Sequence, residues 1–97
     1  MLFVIYAQDK NDGGAGRQAH RSAHLEYLKA NGATIKTAGP LLSPDGQAMV
    51  GSMLVVEAAD LASARTFAEG DPFHRNGVFV RVEIHPWRAS VGTVSFA

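Results

Sequence analysis

The chain contains no cysteine. A disulfide framework, a thiolate nucleophile and thiolate metal ligands are all excluded, and a cytoplasmic setting is expected. A charge excess is also lacking. Nine basic and nine acidic side chains give a formal net charge of +0, which leaves no basic footprint for nucleic acid and no polybasic anchor for a membrane surface. Long apolar runs are missing too. The first, Leu2-Phe3-Val4-Ile5-Tyr6-Ala7, falls far short of the ~20 residues that span a bilayer, and it carries neither the positive flank nor the small-residue cleavage site of a secretory signal. It reads as a buried strand. There are no internal repeats, linkers or low-complexity stretches.

What is present fits one domain over residues 1–97. An apolar fraction of 46% is enough for a single core with little stability to spare. Near-zero net charge on so small a chain favours self-association.

Leu2 to Gln8 is apolar and rich in branched and aromatic residues, as in a central strand covered on both faces. Asp9 to Gly16, with three glycines, is a loop. Arg17 to Asn31 has helical periodicity, with Gly32 where a C-terminal glycine belongs. Ala33 to Leu42 reads as a strand, Ser43-Pro44-Asp45-Gly46 as a tight turn, and Ala48 to Glu57 as the second strand of a hairpin. Asp60 is a suitable N-cap for a helix carrying Leu61, Ala64, Phe67 and Ala68 on one stripe and closed by Gly70. Val78 to His85 alternates, with Val78, Val80, Val82 and Ile84 on one face and Phe79, Arg81, Glu83 and His85 on the other.

The resulting order, β-α-β-β-α-β, is that of an α+β, ferredoxin-like domain whose two helices cover one face of a four-stranded antiparallel sheet. The other face needs a cover. A homodimer packed sheet to sheet is expected, with the tail from residue 88 to 97 reaching toward the partner and further association of dimers left open.

On a wheel of about 100° per residue, Gln18, Ser22, Glu26 and Lys29 gather opposite His24, while Ala23, Leu25, Tyr27, Leu28 and Ala30 share its arc. His24 therefore sits on the core-facing half, where an unpartnered imidazole would cost ~1–3 kcal/mol. Either a backbone carbonyl satisfies it or it does chemistry. Arg17, His20 and Arg21 lie nearby toward the helix start, so a pocket there would be electropositive and suited to a small anionic or aromatic molecule. His20 and His24 have metal-compatible spacing, but no acid lies between them and no third ligand is evident, so no metal and no cofactor are expected.

In Glu69-Gly70-Asp71-Pro72-Phe73-His74-Arg75-Asn76-Gly77, Asp71 and Pro72 form an N-cap and N1 pair that Asn76-Gly77 would end. The cap leaves Phe73, His74 and Arg75 unexplained. A carboxylate can cap with one oxygen and meet an imidazole with the other, so capping and catalysis are compatible for Asp71. Ala38-Gly39-Pro40-Leu41-Leu42 places a proline in a strand, which suits a sheet edge, and Gly39 and Pro40 could also wall a pocket. Trp87 reads as a packing or dimer-contact aromatic.

Together the segments Phe3-Val4-Ile5-Tyr6, Arg21-Ser22-Ala23-His24-Leu25-Glu26-Tyr27-Leu28, Ala38-Gly39-Pro40-Leu41-Leu42, Gly51-Ser52, Ala68-Glu69-Gly70-Asp71-Pro72-Phe73 and Val82-Glu83-Ile84-His85-Pro86-Trp87 resemble the YCII-related (YciI-like) family, from residue 2 to about 88. The resemblance implies a dimeric α+β barrel of two ferredoxin-like protomers and an active site around a histidine and an aspartate, which by position are His24 and Asp71. A branch of the family is associated with removing chloride from a chlorinated hydroxyquinol. The wider superfamily also includes lactone isomerases and cofactor-free monooxygenases, so fold alone does not fix chemistry.

Three readings follow. The first is a cofactor-independent lyase or isomerase with His24 as acid/base, Asp71 orienting it, and Arg17, Arg21, Gly39, Pro40 and Phe73 contacting substrate. The second is a non-catalytic ligand-binding domain. The third is a dimeric scaffold in which His24 and Asp71 only fasten helix to loop.

Overall fold

The computed structural model describes residues 1–94. Its elements are β1 (Leu2–Asp9), α1 (Ala15–Ala30), β2 (Ile35–Leu42), β3 (Met49–Glu57), α2 (Leu61–Gly70), α3 (Pro72–Arg75) and β4 (Phe79–Trp87). The expected order is observed, with the Asp71–Pro72 turn adding the short helix α3. All strand pairs are antiparallel, in the order β2-β3-β1-β4. Pro40 accordingly sits on the edge strand β2, where its missing N–H costs no central ladder bond. From residue 88 to 94 the chain forms no helix or strand. The last part of the tail expected to reach a partner, residues 95–97, lies outside the described residues.

Local chemistry sets the element ends. Asp60 caps α2 by accepting the Ser63 N–H at 2.8 Å, and that bond holds its carboxyl below the usual range. At α1 the capping position is Gly14, with φ of 88° and no side chain. Its place is taken by Asp12, whose carboxylate accepts N–H bonds from Gly14 and Gly16 at 3.0 and 3.1 Å. The Gly16 bond is the main reason its carboxyl is also held low. Gly46, φ 75°, closes the hairpin turn by donating its N–H to the Ser43 carbonyl at 2.8 Å.

Two expectations about α1 are corrected. Gly32 does not adopt the left-handed conformation; Asn31 ends the helix, donating its backbone N–H to the Tyr27 and Leu28 carbonyls. Ala23 and Ala30 are exposed and Leu25 is 46% exposed, so the buried arc is narrower than the wheel drew it, with His24 buried and Tyr27 and Leu28 half-buried on it. The fully buried residues of α1 are Arg17 and His24. The apolar core lies instead under α2, between Phe3, Ile5, Leu54, Val56, Ala64 and Ala68.

The alternation expected of the last strand fails at its start. Gln8 pairs with Arg81 but Asp9 pairs with Phe79, so Val80 is an extra residue, a β-bulge. Phe79 thereby turns to the helix side, edge-on to Phe73 with ring centroids 5.8 Å apart. The β2–β3 pair has two further register shifts, one at Lys36 and one at Val50; the latter, between the pairs Leu41–Gly51 and Leu42–Met49, turns Met49 the same way.

Gly51 is required by close approach. A Cβ there would lie 2.3 Å from the Ala7 carbonyl oxygen and 2.9 Å from a Leu41 methyl. Gly51→Ala is expected to destabilise the domain by about 1–3 kcal/mol through overpacking, read as a lower denaturation midpoint in urea at unchanged slope.

Candidate active site

The helix α1 lies against α3 and the strand ends with two polar side chains turned inward, and each has its own carboxylate. His24 donates Nδ1–H to Asp71 Oδ1 at 2.8 Å, with both residues buried. The same Asp71 oxygen accepts the Phe73 backbone N–H at 2.9 Å, capping α3. One oxygen therefore serves both the cap and the imidazole. Arg17 donates Nε–H and Nη2–H to the two oxygens of Asp9 at 2.7 and 2.9 Å, and a further Nη2–H to Ser52 Oγ at 2.9 Å.

Phe73 joins the two arms. The His24 ring stacks on it at 3.9 Å and 8°, and the Arg17 guanidinium carbon stands 4.7 Å from its centroid. The negative face of the ring favours the guanidinium, and the imidazole stacks flat on the same ring.

The tautomer follows from the partners. A carboxylate only accepts, so Nδ1 of a neutral His24 carries the hydrogen and Nε2 carries the lone pair. Among the described residues no fully buried side-chain nitrogen or oxygen lacks a partner, and Nδ1 is the ring nitrogen that has one. Nε2 is therefore accessible, on the cleft that His24 lines. That cleft is half open, has a volume of about 180 Å³, and is walled by α1, β2 and β3 together with Phe73. It is in the range of cavities that take a single-ring molecule.

Every residue assigned to the site from sequence borders this region. Arg17, Arg21, His24, Gly39, Pro40 and Phe73 line the cleft, and Asp71 stands behind His24. Arg21 is exposed at the rim, with no ion pair among the described residues. His20 is half-buried, and neither it nor His74 lines this cleft. No group of three or more His, Asp or Glu among the described residues is placed to hold a metal ion.

Sequence reasoning missed Asp9, Ser52 and Tyr27. Asp9 read as the first residue of a loop, although the i, i+2 alternation of Phe3, Ile5 and Ala7 already aimed it at the helices. Ser52 was visible only as part of a Gly-Ser pair. Tyr27 donates its hydroxyl to the Phe67 carbonyl at 2.8 Å, holding the end of α2 just before Asp71. Burial, and then the Asp71 carboxylate, push its phenol above the usual 10.0, so it remains a donor at neutral pH. Gly70 exists for this contact: a Cβ there would lie 2.5 Å from the Tyr27 hydroxyl.

The βαββαβ order and the antiparallel four-stranded sheet place the chain among the small α+β proteins of ferredoxin-like fold. The chain belongs to the YCII-related family, whose domain it matches over residues 1–88. It is 35% identical to protein YciI of Escherichia coli O6:H1 over 95 residues, covering 91% of this chain and 97% of the relative. To an uncharacterised protein of Haemophilus influenzae it is 32% identical over the same length. Among solved structures it is similar to 5-chloro-2-hydroxyhydroquinone dehydrochlorinase (TftG) of Burkholderia phenoliruptrix AC1100, in complex with 2,5-dihydroxybenzoquinone. That likeness has a TM-score of 0.84 at 34% identity, covering 93% of this chain and 96% of the other. An Arabidopsis thaliana protein, TM-score 0.50 at 11% identity, shares the fold alone.

The geometry makes the ring hydrogen testable. In ¹⁵N-edited NMR at neutral pH, unprotonated His24 is expected to be the Nδ1–H tautomer. Asp71→Ala should scramble that preference and cost about 1–3 kcal/mol, because it strands a buried donor and uncaps α3.

Proposed function

We propose that this protein is a small-molecule enzyme of lyase or isomerase type, with His24 as its general acid/base. The observation that supports this most directly is the Nδ1–H bond to Asp71, which leaves Nε2 accessible on the cleft. Imidazole exchanges its proton in the neutral range, and a positioned base of this kind accelerates proton transfer by roughly 10²–10⁴-fold. Asp71 fixes the ring's tautomer and stabilises the imidazolium that forms when Nε2 takes a proton. Arg21 at the rim supplies unpaired positive charge, and Leu25, Leu28, Pro40 and Met49 supply apolar contact, so a phenolic or anionic single-ring substrate is favoured.

Likeness to a dehydrochlorinase makes loss of a proton and a chloride from a ring hydroxyl compound the first reaction to assay. The ring carbon that bears chlorine first gains a proton as one hydroxyl becomes a ketone. His24 Nε2 would then take the proton of the hydroxyl para to that ketone, which becomes the second quinone carbonyl as a ring double bond shifts and the carbon–chlorine electron pair leaves on chloride. That elimination balances without an external electron acceptor, so it requires no redox cofactor.

We further propose that the protein acts as a homodimer joined through the sheet face away from the helices. Tyr6, Met53 and Trp87 lie on that face, 43%, 40% and 41% exposed. Among the described residues no helix is long and apolar enough to cross a membrane, and the cysteine-free composition fits a cytoplasmic location.

His24→Ala is expected to lower turnover of a chlorinated hydroxyhydroquinone at least 10²-fold, measured by chloride release, with the fold retained by circular dichroism. Turnover kept in that variant would point to the structural alternative, in which the pair only fastens α1 to α3. Sedimentation equilibrium should give twice the mass of one chain, and Met53→Glu should shift the equilibrium toward single chains. A wild-type protein that sediments as one chain at tens of micromolar refutes the dimer.

A further inference from the structure

Asp71 uses only one of its two carboxylate oxygens. Oδ1 accepts from His24 Nδ1 at 2.8 Å and from the Phe73 backbone N–H at 2.9 Å. Oδ2 has no hydrogen bond among the described residues, although Asp71 is only 4% exposed. Because no fully buried oxygen there lacks a partner, Oδ2 must border space that a water can enter. Asp71 does not line the cleft beside His24. It lines a separate cavity of about 10 Å³, walled by Ile5, Leu54, Phe67, Phe79 and Val82. That is roughly the least space that holds one water.

A carboxylate oxygen in such a place is unfavourable unless a donor meets it. His74 is the other polar residue of the cavity. It also lines an open groove that shares Ala68 and Val82 with the cavity, so it stands where the two adjoin. Its imidazole has no hydrogen bond among the described residues, which leaves the ring free to turn an N–H inward.

We propose that this cavity binds one water, which donates to Asp71 Oδ2 and accepts from the N–H of His74, making His74 a positioning residue for the His24–Asp71 pair. Its value to catalysis rests on the reading of His24 as acid/base; the water site itself does not.

The consequence is electrostatic. A donor on Oδ2 draws charge away from Oδ1 and weakens its support of the His24 imidazolium, and a protonated His74 does so more strongly than a neutral one. The surroundings of His74 set its own charge. Asp71 and, across the groove, Glu69 of α2 favour its cation; Arg65 of α2 and Arg75 of α3 oppose it, and β4 faces the groove with Val82 and Ile84. His24 and His74 therefore compete for one carboxylate, and protonation of either holds back protonation of the other.

The test follows the imidazole signals by NMR across pH in wild type, His74→Phe and His24→Gln. His74 is exposed, so His74→Phe keeps a ring at a tolerant position while removing donor and charge, and circular dichroism checks its fold. It is expected to move the titration of His24 to higher pH by about half a unit or more. His24→Gln should move the titration of His74 in the same direction. Both shifts should persist in about 1 M salt, which screens charges that interact through solvent. A crystal structure should show one ordered water within hydrogen-bond reach of Oδ2. A His24 titration unchanged in His74→Phe overturns the proposal, as does a shift that salt abolishes or a cavity that is empty. None of these readouts uses turnover, so a failed acid/base assignment, seen as full activity in His24→Ala, is told apart from a failed water site.

Discussion

The structure depends on how its first helix is seated. A helix of this length ordinarily docks by an apolar stripe. Here the fully buried positions of α1 are an arginine and a histidine, and either would be intolerable in the core alone. Each is made acceptable by a carboxylate from a different part of the chain, Asp9 at the end of β1 and Asp71 ahead of α3. Apolar packing holds α2 to the sheet, while paired polar groups hold α1 across the cleft.

Buried ion pairs contribute little net stability, because desolvating the charges offsets their attraction, but breaking one is costly. The pairs here are best understood as fixing geometry. Arg17 is held through Nε and Nη2, His24 at one nitrogen, and the Phe73 ring lies against both. The result is a frame that holds His24 by Nδ1 and leaves Nε2 accessible on the cleft.

Much of this was legible in the sequence, for definite reasons. The element order followed from period-2 and period-3.6 patterns and from glycine and proline punctuation. His24 stood out as a polar residue on the inner arc of the wheel, and Asp71-Pro72 as a cap with more side chains than a cap needs. The dual use of the Asp71 carboxylate was anticipated, but with one bond on each oxygen, whereas both bonds meet on Oδ1. Asp9, Ser52 and Tyr27 were not legible, because a small polar residue at a strand end or a tyrosine in a helix has no signature until its partner's position is known. The wheel drew the inward arc too wide at Ala23, Leu25 and Ala30: it ranks directions by hydrophobicity, and the fully buried residues of α1 are polar, Arg17 and His24.

Two of the three bulges mislead pattern reading in another way. At Val80 and Val50 a strand carries one residue more than its neighbour, and in each case the side chain beyond the extra residue comes round to the helix side: Phe79 behind Phe73, and Met49 on the cleft wall. These contacts are set by strand length and not by residue type. Such a trait is inherited as an insertion, so among relatives it is a one-residue gap, more than any change of amino acid, that would mark a differently lined cleft.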